Sequence, residues 1–483
     1  MNNAIRRTGA LLAVLLVALM ININVQQVIL ANDIRNKPGN QRTLLEEYNR
    51  ERGPILVGSD PVARSISTND QFKYLRQYQD GPIYAPATGY YSALYGATGI
   101  ERAENSVLAG TSDLFFVDRI QELFSGREPK GGAVALTLNA AAQQAAFRNM
   151  GGKIGSVTAI EPSTGAILAM VSTPSFNPNA LATHDAAQAQ KAYEALEADP
   201  NKPLLNRALV STPPPGSAFK LVTAAAALES GKFTPETIVP GPASYRLPGT
   251  NVRLGNWQGS ACGPNNRTTL TNALAVSCNS AFAWLGNQLG QQAINDQAEK
   301  FGFNNGFSVP MRAATSRYPS GLDDSQTAMS AIGQFNVTAS SLQMAMVGAA
   351  IGNGGVTMNP YLVADIRGPD LQVIQAAKPT AFATALSAQN ATAEMNMMVA
   401  VVEQGTGSNA QIPGVRVGGK TGTAETGPDR PAVAWFVAVA PADAPRVAVA
   451  VSVENAGGGA EVSGNGLAAP VARAVIEAVL NGQ

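Results

Sequence analysis

Pro215-Gly216-Ser217-Ala218-Phe219-Lys220, running into the apolar stretch 221–228 and a stop at Gly231, is the segment from which the rest of the chain can be read. Pro and Gly break whatever precedes them, and the residues that follow are good helix formers, which predicts a helix beginning at or near Ser217. Residues three apart share a helix face, so the Ser217 hydroxyl and the Lys220 amine can meet. Unpaired N–H groups at a helix start also favour the negative charge of an alkoxide-like serine. Serine is a weak nucleophile at its free pKa and needs an adjacent base. The usual base is nearly absent: His184 is the only histidine, in the polar, Ala-rich Thr183-His184-Asp185-Ala186-Ala187, which reads as a solvated helix, with a Ser-His-Asp triad through His184 the less favoured alternative. A lysine can replace it when burial or a neighbouring cation lowers its pKa. No other Ser-x-x-Lys spacing occurs in the chain. Alone, the pair would still describe an ordinary helix start with lysine on its first turn.

Two later motifs add to it. Val415-Arg416-Val417-Gly418-Gly419-Lys420-Thr421-Gly422-Thr423-Ala424 reads as a strand whose glycines let a substrate backbone lie close. Between it and Ser217 lies Ser277-Cys278-Asn279. Ser-x-Asn is a weak signal, and Ser67-Thr68-Asn69, Ser175-Phe176-Asn177 and Ser463-Gly464-Asn465 share the form. Only the 277–279 copy lies between the other two motifs and follows a helix-like run, 271–276.

Ser-x-x-Lys, Ser-x-Asn and Lys-Thr-Gly in that order resemble the penicillin-binding proteins and serine β-lactamases. The likeness covers most of the chain from Asn40 onward and is nearest to monofunctional class B enzymes of the actinobacterial penicillin-binding protein A type. It includes Asn40-Gln41-Arg42, Glu46, Tyr48 and Arg52-Gly53-Pro54-Ile55, the hairpin 155–172 with the following Pro174-Ser175-Phe176-Asn177, and Gly333-Gln334. The resemblance implies an α/β (α+β) fold, a transpeptidase domain with a sheet flanked by helices, preceded by a smaller N-terminal domain and a transmembrane helix. It implies that Ser217 attacks the penultimate D-alanine carbonyl of a peptidoglycan stem peptide, with Lys220 as base. Ser277 would relay the proton to the departing amine and Asn279 would hold Lys220 and the substrate amide. Lys420, with Thr421, Gly422 and Thr423, would bind the terminal carboxylate, and the N–H groups of Ser217 and Thr423 would form the oxyanion hole. β-Lactams would acylate the same serine. Other cell-wall or division proteins are the implied partners.

Composition is consistent with that reading. With 34 basic and 34 acidic residues and no basic block, nucleic-acid binding is not expected. One histidine and two cysteines leave no zinc cluster, no nucleotide fingerprint is present, and no metal or cofactor is expected. Cys262 and Cys278 are either two separate buried thiols or, outside the cytoplasm, a disulfide closing a 16-residue loop on the Ser-x-Asn motif.

Along the chain, Arg6 and Arg7 precede an apolar run, so residues 1–8 are expected to be a cytoplasmic tail and 9–31 an uncleaved membrane anchor, with Ala31 the alternative signal-cleavage position. Residues 32–150 are expected to form a pedestal or docking domain and 151–483 the transpeptidase domain, with 280–410 mostly helical and Lys420 on an edge or near-edge strand. Among rival readings, a class A β-lactamase needs a Glu-x-x-Leu-Asn loop, and Glu299, Glu394 and Glu403 all lack that context. A D,D-carboxypeptidase differs only in using water as acceptor. A membrane-anchored β-lactam sensor would need a cytoplasmic output module, and a purely structural protein would leave the motifs as coincidence.

Overall fold

The structure, a computed structural model, describes residues 3–25, 48–116, 130–424, 431–454 and 463–482. In chain order the elements used below are α1 (Asn3–Asn24), β1 (Ile55–Val57), β2 (Asp60–Ser67), β3 (Tyr74–Tyr78), β4 (Ala133–Leu136), α2 (Ala140–Met150), β5 (Gly155–Ile160), β6 (Ile167–Thr173), α3 (Lys220–Glu229), β7 (Ser244–Arg246) and β8 (Arg253–Gly255). They continue with α4 (Leu270–Ala275), α5 (Asn279–Leu289), α6 (Ser341–Gly352), β9 (Val363–Arg367), β10 (Val373–Ala376), α7 (Ala388–Glu403), β11 (Gly418–Ala424), β12 (Val433–Ala440), β13 (Val447–Val453) and α8 (Ala469–Asn481).

The mixed helix/sheet fold expected from the sequence is present. Its centre is an antiparallel sheet ordered β11-β12-β13-β5-β6. Its middle strands are apolar on both faces because helices cover both. Along β12, Ala434, Phe436, Ala438 and Ala440 join α2 and α8, while Trp435, Val437 and Val439 face the core that holds α3 and α6. Successive strand side chains alternate between faces, which is how one run of eight buried residues serves two cores. Asn139 caps α2 by accepting from Ala142 N, and Ser340 caps α6 by accepting from Gln343 N. Pro470 sits in the first turn of α8, where its missing N–H costs nothing. Lys420 lies on β11, the edge strand.

The second sheet runs β10-β9-β4-β1-β2-β3. Behind it Glu101 binds Arg52 and Arg76, each through Nε at 2.6 Å, and accepts from Tyr78 OH at 3.1 Å. Burial pushes the Glu101 carboxyl up, but the two guanidiniums outweigh it and hold the pKa below the usual range. Removing one member of such a buried group costs about 3–5 kcal/mol.

Four sequence expectations change. The segment 280–410 is less helical than its composition suggests: short strands occupy parts of 356–384, and β9 and β10 join the second sheet. That sheet therefore crosses the expected boundary at residue 150. The N-terminal helix begins at Asn3 and carries Arg6 and Arg7 within it; its span Ile5–Asn24 is long and apolar enough to cross a membrane. Residues 26–31 of the expected anchor, Ala31 among them, and Asn40-Gln41-Arg42 and Glu46 lie outside the described residues. Finally, Ser217 stands in a 3-10 turn, Gly216–Phe219, and α3 starts only at Lys220.

Buried within α7 is Glu394, whose two carboxyl oxygens have no hydrogen-bond partner. Burial first, and Glu229 second, raise its pKa well above the usual value. An acid with a raised folded pKa keeps a proton that the unfolded chain has released, so stability falls as pH rises from about 4.3 through the folded value. Glu394→Met is expected to raise stability above that window by about 1–3 kcal/mol, read by urea melts at pH 5 and pH 8. A variant that is less stable at pH 8 would contradict this.

Candidate active site

The 3-10 turn that carries Ser217 is held from three sides. Pro213, Pro214 and Pro215 have no N–H to donate, but each carbonyl is used: Pro213 O accepts from Ala339 N at 3.1 Å, Pro214 O from Trp435 Nε1 at 2.9 Å and Pro215 O from Ala218 N at 3.3 Å. Gly216 N donates to Gly333 O at 3.1 Å. Gly216 has φ +52°, and a Cβ there would lie 2.6 Å from Thr423 O, so the nucleophile turn and β11 meet backbone to backbone. Ser217 and Thr423, the expected oxyanion donors, thus belong to two segments in direct contact.

The Ser-x-Asn loop closes the site from the other side. Thr269 caps α4 by accepting from Asn272 N, the chain turns through Ser277 at φ +57°, and α5 begins at Asn279. Lys220 Nζ donates to Ser277 O and Asn279 Oδ1, each at 2.7 Å, and lies 3.2 Å from Ser277 Oγ. Lys420 Nζ donates to Ser277 Oγ at 2.9 Å and to Thr421 O at 2.7 Å. The Ser277 hydroxyl therefore lies between two amines.

Both lysines are fully buried. Burial, then the neighbouring Lys420, pushes the Lys220 pKa well below its usual value. Burial alone lowers Lys420 to about 7. A neutral Lys220 has two N–H donors, which the two 2.7 Å acceptors use, and its lone pair is then left to take a proton.

The expected direct link between Ser217 and Lys220 takes a different form. No hydrogen bond joins the Ser217 hydroxyl to Lys220 among the described residues; Lys220 is committed to Ser277 and Asn279. Hydrogen bonds used in catalysis are often long before substrate binds and tighten with it. Thr421 is buried and shares a 2.6 Å hydrogen bond with Thr406, whereas Thr423 is exposed. His184 lies elsewhere, its Nδ1 2.6 Å from Asp70 Oδ2 and its ring against Phe72 and Tyr48. It is not on a solvated helix: Asp185 caps the helix that follows. Glu299, Glu394 and Glu403 make no hydrogen bond to Ser217, Lys220 or Ser277 among the described residues.

Thr406, Trp435 and Gly255 belong to this arrangement although no sequence motif marks them as site residues, and so does Gly333, which the sequence marks only through the Gly333-Gln334 of the family resemblance. Gly255 O accepts from Asn279 Nδ2 at 3.1 Å, and Asn256 Oδ1 accepts from Ser280 N at 2.9 Å, which ties the 242–260 stretch to the Ser-x-Asn loop. The tie is also covalent, because Cys262 and Cys278 form a disulfide. Closing a loop of 16 residues restrains the unfolded chain by about 3 kcal/mol in the loop-entropy treatment. Cys262→Ser with Cys278→Ser is expected to lose about 2–4 kcal/mol in denaturant melts and to acylate more slowly, since Ser277 and Asn279 flank the lost bond. An unchanged melt would show that the bridge does not restrain this loop.

Comparison with known proteins places these features in context. The family model described as penicillin binding protein transpeptidase domain matches residues 155–477, and the penicillin binding protein A dimerisation domain matches 52–134. A Mycolicibacterium smegmatis protein named peptidoglycan D,D-transpeptidase PbpA is 45% identical over 489 residues, covering 99% of both chains. A Mycobacterium tuberculosis protein of the same name is 42% identical over 492 residues, covering 100% of both. The solved structure of penicillin-binding protein A from M. tuberculosis as a ceftriaxone acyl-enzyme complex superposes with a TM-score of 0.87 at 41% identity, covering 90% of this chain and 100% of that one.

Proposed function

The chain belongs to the penicillin-binding protein transpeptidases and is a serine D,D-transpeptidase of peptidoglycan; from that premise we propose that its acyl transfer runs through Ser217, Lys220, Ser277, Asn279 and Lys420. The observation that carries the assignment is the Ser277 hydroxyl held between two buried, pKa-depressed lysines beside the Ser217 turn. Lys220, neutral, takes the Ser217 proton as Oγ bonds to the penultimate D-alanine carbonyl. The resulting oxyanion faces the N–H groups of Ser217 and Thr423. Collapse breaks the peptide bond, and the proton passes from Lys220 through Ser277 to the departing D-alanine amine. An amine of a second stem peptide then attacks the ester, gives up a proton along the same path and releases Ser217. Lys420, charged below about pH 7, with Thr423 on the exposed side of β11, holds the terminal carboxylate. The apolar helix α1 anchors the chain, with the N-terminus cytoplasmic and the catalytic part outside; partners in wall synthesis or division would dock on the second sheet and its surroundings.

Full-length protein incubated with a fluorescent penicillin should form a stable adduct that Ser217→Ala abolishes. Rapid drug turnover would indicate a lactamase instead. With a peptide thioester, added amine acceptor should divert product from hydrolysis to transfer; hydrolysis that ignores the amine would indicate a carboxypeptidase.

A further inference from the structure

The β7–β8 hairpin pairs Arg246 directly opposite Arg253. Residues opposite each other on adjacent strands point to the same face, and like charges so placed destabilise the pair. The other face is occupied: Tyr245 and Leu254 pack with Leu247, Ala283 and Ala328 over α5 and the helix Asp324–Ser330. The arginines are therefore turned outward, and both are exposed. Among the described residues, neither is paired with a carboxylate. Arg246 Nε donates to Thr250 O at 2.9 Å and its Nη2 to Asn251 Oδ1 at 2.8 Å, while Arg253 Nη1 donates to Ser244 Oγ at 3.3 Å. Neutral groups fix both heads in place without cancelling either charge.

The hairpin's position makes this repulsion meaningful. Its last residue, Gly255, is held by the Asn279 amide at the catalytic loop. Arg253 stands two residues back along the same strand and in the same phase, about 7 Å away. The pair thus stands on the hairpin whose base is bound to Asn279, the residue expected to hold the substrate amide. We propose that Arg246 and Arg253 form a subsite for a second carboxylate of the stem peptide, upstream of the scissile bond and distinct from the terminal carboxylate at Lys420. The proposal rests on the acyl-transfer reading given above. A bound carboxylate between the two guanidiniums would turn the cross-strand repulsion into two charge-assisted hydrogen bonds.

The test uses full-length protein in detergent and two D,D-peptide thioesters that differ in one upstream group, a carboxylate in one and its carboxamide in the other. Wild-type kcat/KM is expected to favour the carboxylate form about tenfold, as one charge-assisted hydrogen bond would give. In Arg246→Ala with Arg253→Ala the two peptides should become nearly equivalent, and in the double Lys variant most of the preference should return. Equal use of both peptides by the wild type, or a preference that survives in the double Ala variant, overturns the subsite. Fluorescent-penicillin labelling of Ser217 in the same samples separates the two readings. Labelling without peptide preference removes the subsite alone; absence of both labelling and thiol release removes the acyl-transfer reading and the subsite with it.

Discussion

Lys220→Met should slow the acylation of Ser217 by about 10³-fold, the middle of the range for loss of a general base, while leaving the protein folded. Methionine keeps the length and the burial of the stem but has no lone pair basic enough to take a proton. Lys220→Arg should fare no better, because a guanidinium stays charged at any working pH. The pH profile follows from the same burial. Since desolvation and Lys420 depress Lys220, acylation should fall on the acid side as Lys220 gains its proton. On the alkaline side it should fall again as Lys420, near 7, loses the charge that binds the substrate carboxylate. The two limbs belong to the coupled pair and not to either residue alone. Stopped-flow labelling across pH 5–9 reads both limbs; a flat acid limb would remove Lys220 as base. Stability should fall toward acid pH for the same reason. A lysine whose folded pKa is depressed binds fewer protons folded than unfolded, so its burial weighs against the native state more heavily as pH falls from about 10.4 toward the folded value.

Gly333→Ala should reduce acylation by about 10²-fold, as a misplacement near 1 Å of a reacting group does. At φ +75°, an added Cβ would lie 2.0 Å from Gly216 O and 2.7 Å from the Phe219 Cβ. Backbone cannot yield there without moving the Ser217 turn. Gly354→Ala is the matched comparison: its φ is +61° and nothing lies within 4 Å of the new methyl. It carries the same left-handed strain, about 1–3 kcal/mol, with no push on the nucleophile. Equal labelling rates for the two variants would show that the Gly333 contact does not position Ser217.

The residues proposed to carry the chemistry sit in three short motifs, which is why a linear reading can name Ser217, Lys220, Asn279 and Lys420 together. What a linear reading does not reach is set by partners far away in sequence. The Ser217 turn is 3-10 and not the first turn of an α-helix: Pro215 O takes the i+3 N–H of Ala218, Gly216 bonds to Gly333, and the carbonyls of Pro213 and Pro214 bond elsewhere. Ser277 and Lys420 stand 143 residues apart, and nothing in either motif states that one hydroxyl serves both lysines. The helical reading of 280–410 stops at β9 and β10 because their fate is decided by strand β4, far upstream, whose open edge they fill. The exposed Val373 and Ile374 on β10 leave little alternation by which a strand could be recognised. The twinned arginines of the β7–β8 hairpin show as a pair only once the register is known.

That late insertion of β9 and β10 into the early sheet ties a segment of the later part of the chain to its first part. A version cut to begin at residue 151 would keep β9 but lose β4, its neighbour, and would present an unpaired row of amides to any passing chain. Excising the front of the protein to obtain a minimal enzyme is therefore expected to give aggregates, and a tug on the N-terminal part would be transmitted through β9 to the connection between α6 and α7, two helices that pack against the β11–β6 sheet.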